Sequence, residues 1–248
     1  MIEWNDIKWL RMYYGDDLIN KMYIGDNLVY PRNANAYTLP TPFNLNLNAK
    51  EFDSVNNAFP NAETADIPVG ISLIGTPTVH SDYITVTDGC YGSLAGYQEN
   101  FNLYNSAGYD EMTVIFKVTP TNQSDYGNIL ANRGSSYNWM ARCDQSNKAY
   151  LHGGSSYMDI SVTVSATPNI VVMRTSGGTL TVQSITDNTT STGSWSPGTS
   201  NSSGISLFTG YYSSLSEKFI GDFYWLYQAK RYLTDDEVQE VINYNENL

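Results

Sequence analysis

Short runs of β-branched and aromatic residues, each closed by Gly, Pro, Asn, Asp or Ser, recur along most of this chain. They fall at Tyr83 to Thr87, Met112 to Val118, Asn128 to Ala131, Trp139 to Arg142 and Ile160 to Val164. Further runs lie at Asn169 to Arg174, Thr179 to Ile185, Ile205 to Gly210 and Phe219 to Tyr227. Runs this short suit a pleated, half-buried surface, and the turn clusters between them leave no room for the crossover helices of a parallel sheet. The spacing predicts an all-β fold of two stacked antiparallel sheets, a sandwich over about Tyr37 to Tyr227. Within Met112 to Val118, Val114, Phe116 and Val118 alternate with Thr113 and Lys117. The first set is expected to face the inter-sheet core and the second to face outward.

The C-terminus departs from this pattern. Thr234 followed by Glu237 forms a capping box, Leu233 and Val238 fit a hydrophobic staple, and Val238, Val241 and Ile242 make an apolar stripe at helical spacing. One short helix is expected near Asp235 to Tyr244.

The N-terminus carries an internal repeat. MYYGDDLI at 12 to 19 is followed by MYIGDNLV at 22 to 29. Each copy reads as a strand, a Gly-Asp turn and the start of a second strand. Met12, Tyr14, Met22 and Ile24 take equivalent alternating positions, so each ribbon presents an apolar face, and a two-stranded ribbon alone is marginal in water. These four residues are therefore expected to be attachment contacts. The stretch PRNANAYTLPTP at 31 to 42 reads as a linker or extended edge. The organisation expected is a ribbon and linker over 1–36 and a sandwich over 37–248.

Composition narrows the partners. The formal charge of −12 opposes a general binder of nucleic acid backbones and an anionic bilayer surface, so neither nucleic acid nor membrane is expected. Nowhere is there an apolar run of transmembrane length, and the first residues, MIEWNDIKWL, lack the apolar core of an export signal. Cys90 and Cys143 form no CxxC or Cys/His cluster, which makes zinc improbable and leaves open whether the two pair.

Four stretches, taken in order, resemble the laminin-G type, concanavalin A-like jelly roll over roughly Tyr37 to Leu248. They are YITVTDG with LAGYQENF, MTVIFKVTP, NIVVMRTSGGTLTVQS, and FIGDFYWLYQAKRYLTDDEVQEVINY. The last is the most specific, matching that family's closing strand and helix. The Gly-Asp repeats resemble short segments in virion proteins of phages infecting gut Bacteroidetes, the crAss-like phages among them. What the resemblances imply is a non-catalytic decoration protein of a phage virion, assembled in the host cytoplasm. It would be a homo-oligomer or multicopy component, bound to other virion proteins and displaying a jelly roll that takes host or mucosal glycans. The second reading is a free carbohydrate-binding lectin module; the third is a degenerate glycoside hydrolase.

The chemistry expected is that of binding. Laminarinase-type enzymes of this fold carry E-x-D-x-x-E on one strand, because retaining hydrolysis needs two carboxylates about 5 Å apart. Here Glu51 and Asp53 are followed by Asn56 where the third acid would stand. His80 and His152 read as loop or edge residues, away from any nucleophile motif. No catalytic set and no obligate cofactor are expected. The family's structural calcium would draw on Asp82, Asp88, Asp110 or Asp222, which show no ligand spacing. Glycan recognition needs exposed aromatic rings flanked by amides and hydroxyls. The candidates in such surroundings are Tyr137, Trp139, Trp195, Tyr211 and Tyr212.

Overall fold

The computed structural model describes residues 37–248, apart from 63–65, 95, 106–107, 110, 122–125, 134–136, 154–159, 166, 199–203 and 211–216. Before residue 37 it describes the backbone of four strands. The chain divides into two compact units, Met1–Leu39 and Pro40–Leu248.

In the first unit, β1 (Tyr13–Tyr14) pairs antiparallel with β2 (Asp17–Leu18), and β3 (Lys21–Ile24) with β4 (Asn27–Pro31). Each copy of the repeat thus makes one hairpin. Tyr14 and Ile24 are equivalent in it, opposite Asp17 and Asn27.

The second unit runs through β5 (Leu45–Asn48), β6 (Ala58–Phe59), β7 (Ile71–Ile74), β8 (Thr78–Val79), β9 (Ile84–Val86) and β10 (Tyr91–Leu94). A small hairpin of β11 (Tyr104–Asn105) and β12 (Gly108–Tyr109) precedes β13 (Met112–Pro120), β14 (Tyr126–Arg133), β15 (Tyr137–Asp144) and β16 (Lys148–His152). Then come β17 (Ser161–Thr163), β18 (Asn169–Ser176), β19 (Thr179–Ser184), β20 (Thr189–Ser194), β21 (Ile205–Leu207), β22 (Gly221–Ala229) and the helix α1 (Asp235–Glu246).

The strands form two sheets. The front sheet has the order β17-β16-β15-β14-β21-β10-β7-β6, and the back sheet β20-β19-β18-β13-β22-β9-β8, with β5 also paired to β22. Their ladders are antiparallel, as the short loops require. Between the sheets lies one core, with Ile129, Trp139, Ala141, Cys143 and Leu151 from the front and Val114, Phe116, Val171, Leu180, Phe223 and Leu226 from the back. Phe59, Phe208 and Phe223 meet edge to face at its centre, with centroids 5.0 to 6.3 Å apart. Each such ring contributes roughly 1.5–3 kcal/mol of burial. The expected all-β antiparallel sandwich with one short C-terminal helix is the architecture found.

Val114, Phe116 and Val118 face the core as their alternation predicts. Thr113 does not face solvent: it is fully buried, because the turn before α1 folds over it. Its hydroxyl donates to Arg231 O (2.9 Å) and accepts from Leu233 N (3.0 Å). The capping box is present, with Glu237 N donating to Thr234 Oγ1 at 3.3 Å and Thr234 N to Glu237 Oε2 at 2.8 Å. Val238, Val241, Ile242 and Asn245 are the buried side of α1. Asn245 ties it to β5 by donating to Asn46 Oδ1 (2.9 Å) and accepting from Asn48 Nδ2. The helix therefore closes the outer face of the back sheet. Among the described residues, no helix is long and apolar enough to cross a membrane.

Candidate glycan-binding face

The front sheet carries a second set of side chains on the face turned away from the core. Along β15, Trp139, Ala141 and Cys143 point inward, so Asn138, Met140, Arg142 and Asp144 take the other face. Register across the ladder sets Arg142 opposite Asn128 on β14 and Tyr150 on β16, and Met140 opposite His152.

Arg142 anchors the group. Its residue is only 2% exposed, and its guanidinium lies 4.9 Å from the Tyr126 ring centre and 5.8 Å from that of Tyr150. Nε donates to Asn128 Oδ1 at 3.1 Å and Nη2 to Glu217 Oε2 at 3.1 Å. The same carboxylate oxygen accepts from Arg133 Nη1 at 2.8 Å and Asn128 Nδ2 at 3.2 Å. One carboxylate thus bridges two guanidiniums that are both nearly buried.

Local structure holds Glu217 there. Phe208, just past β21, and Glu217 both adopt left-handed backbone, with φ of 64° and 54°. Such angles strain non-glycine residues and concentrate at functional sites. Phe219 N donates to Phe208 O, and Asn128 N to Glu217 O, which fixes the returning chain against β14. Gly210 is required by the close fit: a Cβ on it would stand 2.6 Å from Glu217 Oε2 and 3.0 Å from Asn128 Nδ2.

The electrostatics follow from burial and the two arginines. His152 is pushed down to about 4, first by desolvation, then by Arg142, with Glu217 opposing and Arg133 adding to the depression. It is therefore a neutral imidazole at pH 7, able to donate and accept. Burial pushes the Tyr150 hydroxyl up to about 12, against the opposing effect of Arg142. Half-buried Tyr126, Glu217 and His152 form the outer layer, over a guanidinium floor.

Of the residues singled out from sequence, the two tryptophans belong to the core. Trp139 is fully buried and donates Nε1 to Phe101 O at 2.7 Å. Trp195 is 4% exposed, donates Nε1 to Leu151 O at 3.1 Å, and packs where a Cβ on Gly153 would touch its ring. Both are core rings, with no open face for a sugar. Tyr137 lies on the β15 backbone opposite Arg133, while its side chain, like Tyr211 and Tyr212, lies outside the described residues. So do Met12 and the side chains of Tyr14, Met22 and Ile24.

Cys90 and Cys143 are free, buried core thiols, and burial pushes the Cys143 thiol up. Asp53 makes a local turn by accepting from Val55 N and Asn56 N, while Glu51 sits in a single 3₁₀ turn. The calcium candidates do not converge. Asp88 pairs with Lys218 and Asp222 accepts from Thr85, Asp110 is outside the described residues, and no group of three His, Cys, Asp or Glu side chains among the described residues suits a metal.

Sequence reasoning passed over Arg133, Arg142, Glu217, Tyr126 and Tyr150, and read His152 as a loop or edge residue, whereas it closes β16 opposite Met140. One signal was available: Arg142 stands mid-strand in a chain with only 13 Lys and Arg, where alternation assigns it to the non-core face.

The second unit is an antiparallel sandwich with an arginine–glutamate cluster on the outer face of its front sheet. No protein-family model matches the chain, and no curated protein sequence is significantly similar to it. Solved structures do resemble it. The carbohydrate-binding module CBM40 of the Ruminococcus gnavus IT-sialidase, bound to α2,3-sialyllactose, superimposes with a TM-score of 0.50 at 11% identity, covering 65% of this chain and 95% of that one. Trypanosoma rangeli sialidase, in complex with a difluoro-KDN ligand, gives 0.57 at 10% identity and covers 85% of this chain. A Trypanosoma rangeli sialidase mutant displaying trans-sialidase activity gives 0.58 at 10% identity and covers 82% of this chain. Both matches to the trypanosomal enzyme span only 34% of its length. At these identities the likeness is one of fold.

Proposed function

We propose that the Pro40–Leu248 sandwich is a non-catalytic glycan-binding module whose site is the outer face of the front sheet, with preference for a sugar bearing a carboxylate. The observation that carries this reading is the placement of Glu217 between Arg133 and Arg142. A guanidinium pair recognises carboxylates through parallel N–H donors, and a ligand carboxylate would share or take the position that Glu217 holds. The effect on His152 supports a net positive field beside the cluster, since the two arginines outweigh Glu217 there. Tyr126 supplies a half-buried ring for the apolar face of a pyranose, and neutral His152 suits its hydroxyls.

The fold neighbours give the reading its context. One of them, the Ruminococcus gnavus module, is a carbohydrate-binding module seen with α2,3-sialyllactose. A binding role is preferred over two-carboxylate hydrolysis because the cluster sets one carboxylate against two arginines, not two carboxylates across a scissile bond. Display on a phage particle rests on the N-terminal repeats alone, and we propose it as the setting in which the hairpins would seat the module.

The test is a glycan array probed with the intact chain and with Tyr126→Ala. The expected result is retention of sialylated or uronate-bearing glycans by the first and a loss of at least tenfold in the second. Equal binding by both, or binding confined to uncharged glycans, would overturn the assignment.

A further inference from the structure

The back sheet carries a separate cavity of about 310 Å³, lined by Glu111, Arg174, Ser176, Thr179, Thr181 and Tyr232. Its floor follows from alternation in β19, where Leu180 and Val182 enter the core and Thr179 and Thr181 take the outer face. Thr181 Oγ1 lies 3.2 Å from Thr192 Oγ1 on β20, which extends the row of hydroxyls. One wall is Arg174, 8% exposed, its Nη1 donating to Leu233 O at 3.2 Å and to Asp235 Oδ1 at 2.6 Å. Its Nε is buried with no hydrogen-bond partner, an expensive state for a charged donor group. Tyr232 stands over the guanidinium at 5.2 Å and keeps 39% of its surface exposed. Glu111 is held at the rim, Oε1 accepting from Ser176 Oγ at 2.7 Å and Oε2 from Tyr232 N at 3.4 Å.

We infer that this cavity is a second ligand site, one that takes an uncharged saccharide. An exposed tyrosine ring offers a stacking face, the threonine and serine hydroxyls pair with sugar hydroxyls in either sense, and Glu111 accepts from them. Charge excludes the ligand class proposed for the front sheet: Arg174 is already matched by Asp235, and Glu111 leaves an excess negative charge at the rim. A carboxylate is repelled here and a neutral hexose is not. The chain would then be bivalent, with an acidic-sugar face and a neutral-sugar pocket on opposite sheets, and two weak sites on one body raise avidity for a branched glycan without any new contact.

The experiment is a titration of the full chain, with ¹³C-methyl threonine, against methyl β-galactoside, methyl α-mannoside, N-acetylglucosamine and glucuronate. Saturable shifts of the Thr179 and Thr181 methyls are expected with at least one neutral sugar and not with glucuronate. Glu111→Gln should weaken the response about tenfold, as expected for a lost charged hydrogen bond. Tyr232→Ala should abolish it. Should Tyr232→Ala disturb the fold, seen as movement of core resonances, Thr181→Val serves instead, read at Thr179. No saturable shift with any neutral sugar, or a shift that survives Tyr232→Ala and Thr181→Val, overturns the proposal. Acidic-glycan binding measured on the same samples reports the front sheet separately, so either site can fail alone.

Discussion

Arg142 Nη2 and Glu217 Oε2 lie 3.1 Å apart across the outer face of the front sheet, joining β15 to a chain segment that is 75 residues further on. The contact fixes the position of that returning segment, and Arg133 shares the same oxygen. Removing the charge at Glu217 leaves two nearly buried guanidiniums opposed to a neutral amide. Because the carboxylate side chain is itself 22% exposed, Glu217→Gln is expected to cost about 2 kcal/mol, below the roughly 3–5 kcal/mol of breaking a fully buried ion pair. Urea unfolding measures this, and an unchanged midpoint would mean the pairing contributes nothing.

His152 gives the front face a pH signature. Its folded pKa of about 4 is below its ordinary value, so the unfolded chain binds the proton more tightly. Its contribution to stability is complete above about pH 6.5 and is lost as pH falls toward 4. His152→Gln should therefore flatten the fall in melting temperature between those limits, and an NMR titration of the imidazole should show no midpoint near 6.5.

The helix α1 depends on its first turn. Thr234→Ala removes the acceptor for Glu237 N and is expected to cost about 1 kcal/mol. Chemical denaturation checks it. A loss beyond about 3 kcal/mol would mean that the helix and the outer face of the back sheet come apart together.

Trp139 should matter to folding and not to ligand. Trp139→Phe removes the donor to Phe101 O and leaves a small void, costing about 1–3 kcal/mol, while the affinity for acidic glycans stays within twofold. Denaturation and a binding isotherm on the same variant separate the two effects.

Period-two alternation carries most of what was legible. It places Val114, Phe116 and Val118 correctly, and the Thr234–Glu237 spacing with the Val238, Val241, Ile242 stripe marks α1. β20, built from Thr, Ser and Gly, escaped because an exposed edge strand needs no apolar residues. Thr113 misled because the turn that buries it comes 118 residues later. The candidate site was hidden for the same reason. Its arginines, tyrosines and Glu217 come together only through ladder register, and Trp139 and Trp195 use their N–H groups to satisfy core carbonyls, a role that local composition does not distinguish from exposure.

The most direct test of the front-face site is an amide-resolved NMR titration of the full chain with α2,3-sialyllactose. The account predicts saturable shifts at Asn128 and Arg142, register partners on β14 and β15, and at His152 on β16, two residues past Arg142's partner Tyr150, and their loss in Tyr126→Ala. Still amides at all three through a titration to millimolar ligand, or shifts restricted to the back sheet, would contradict it.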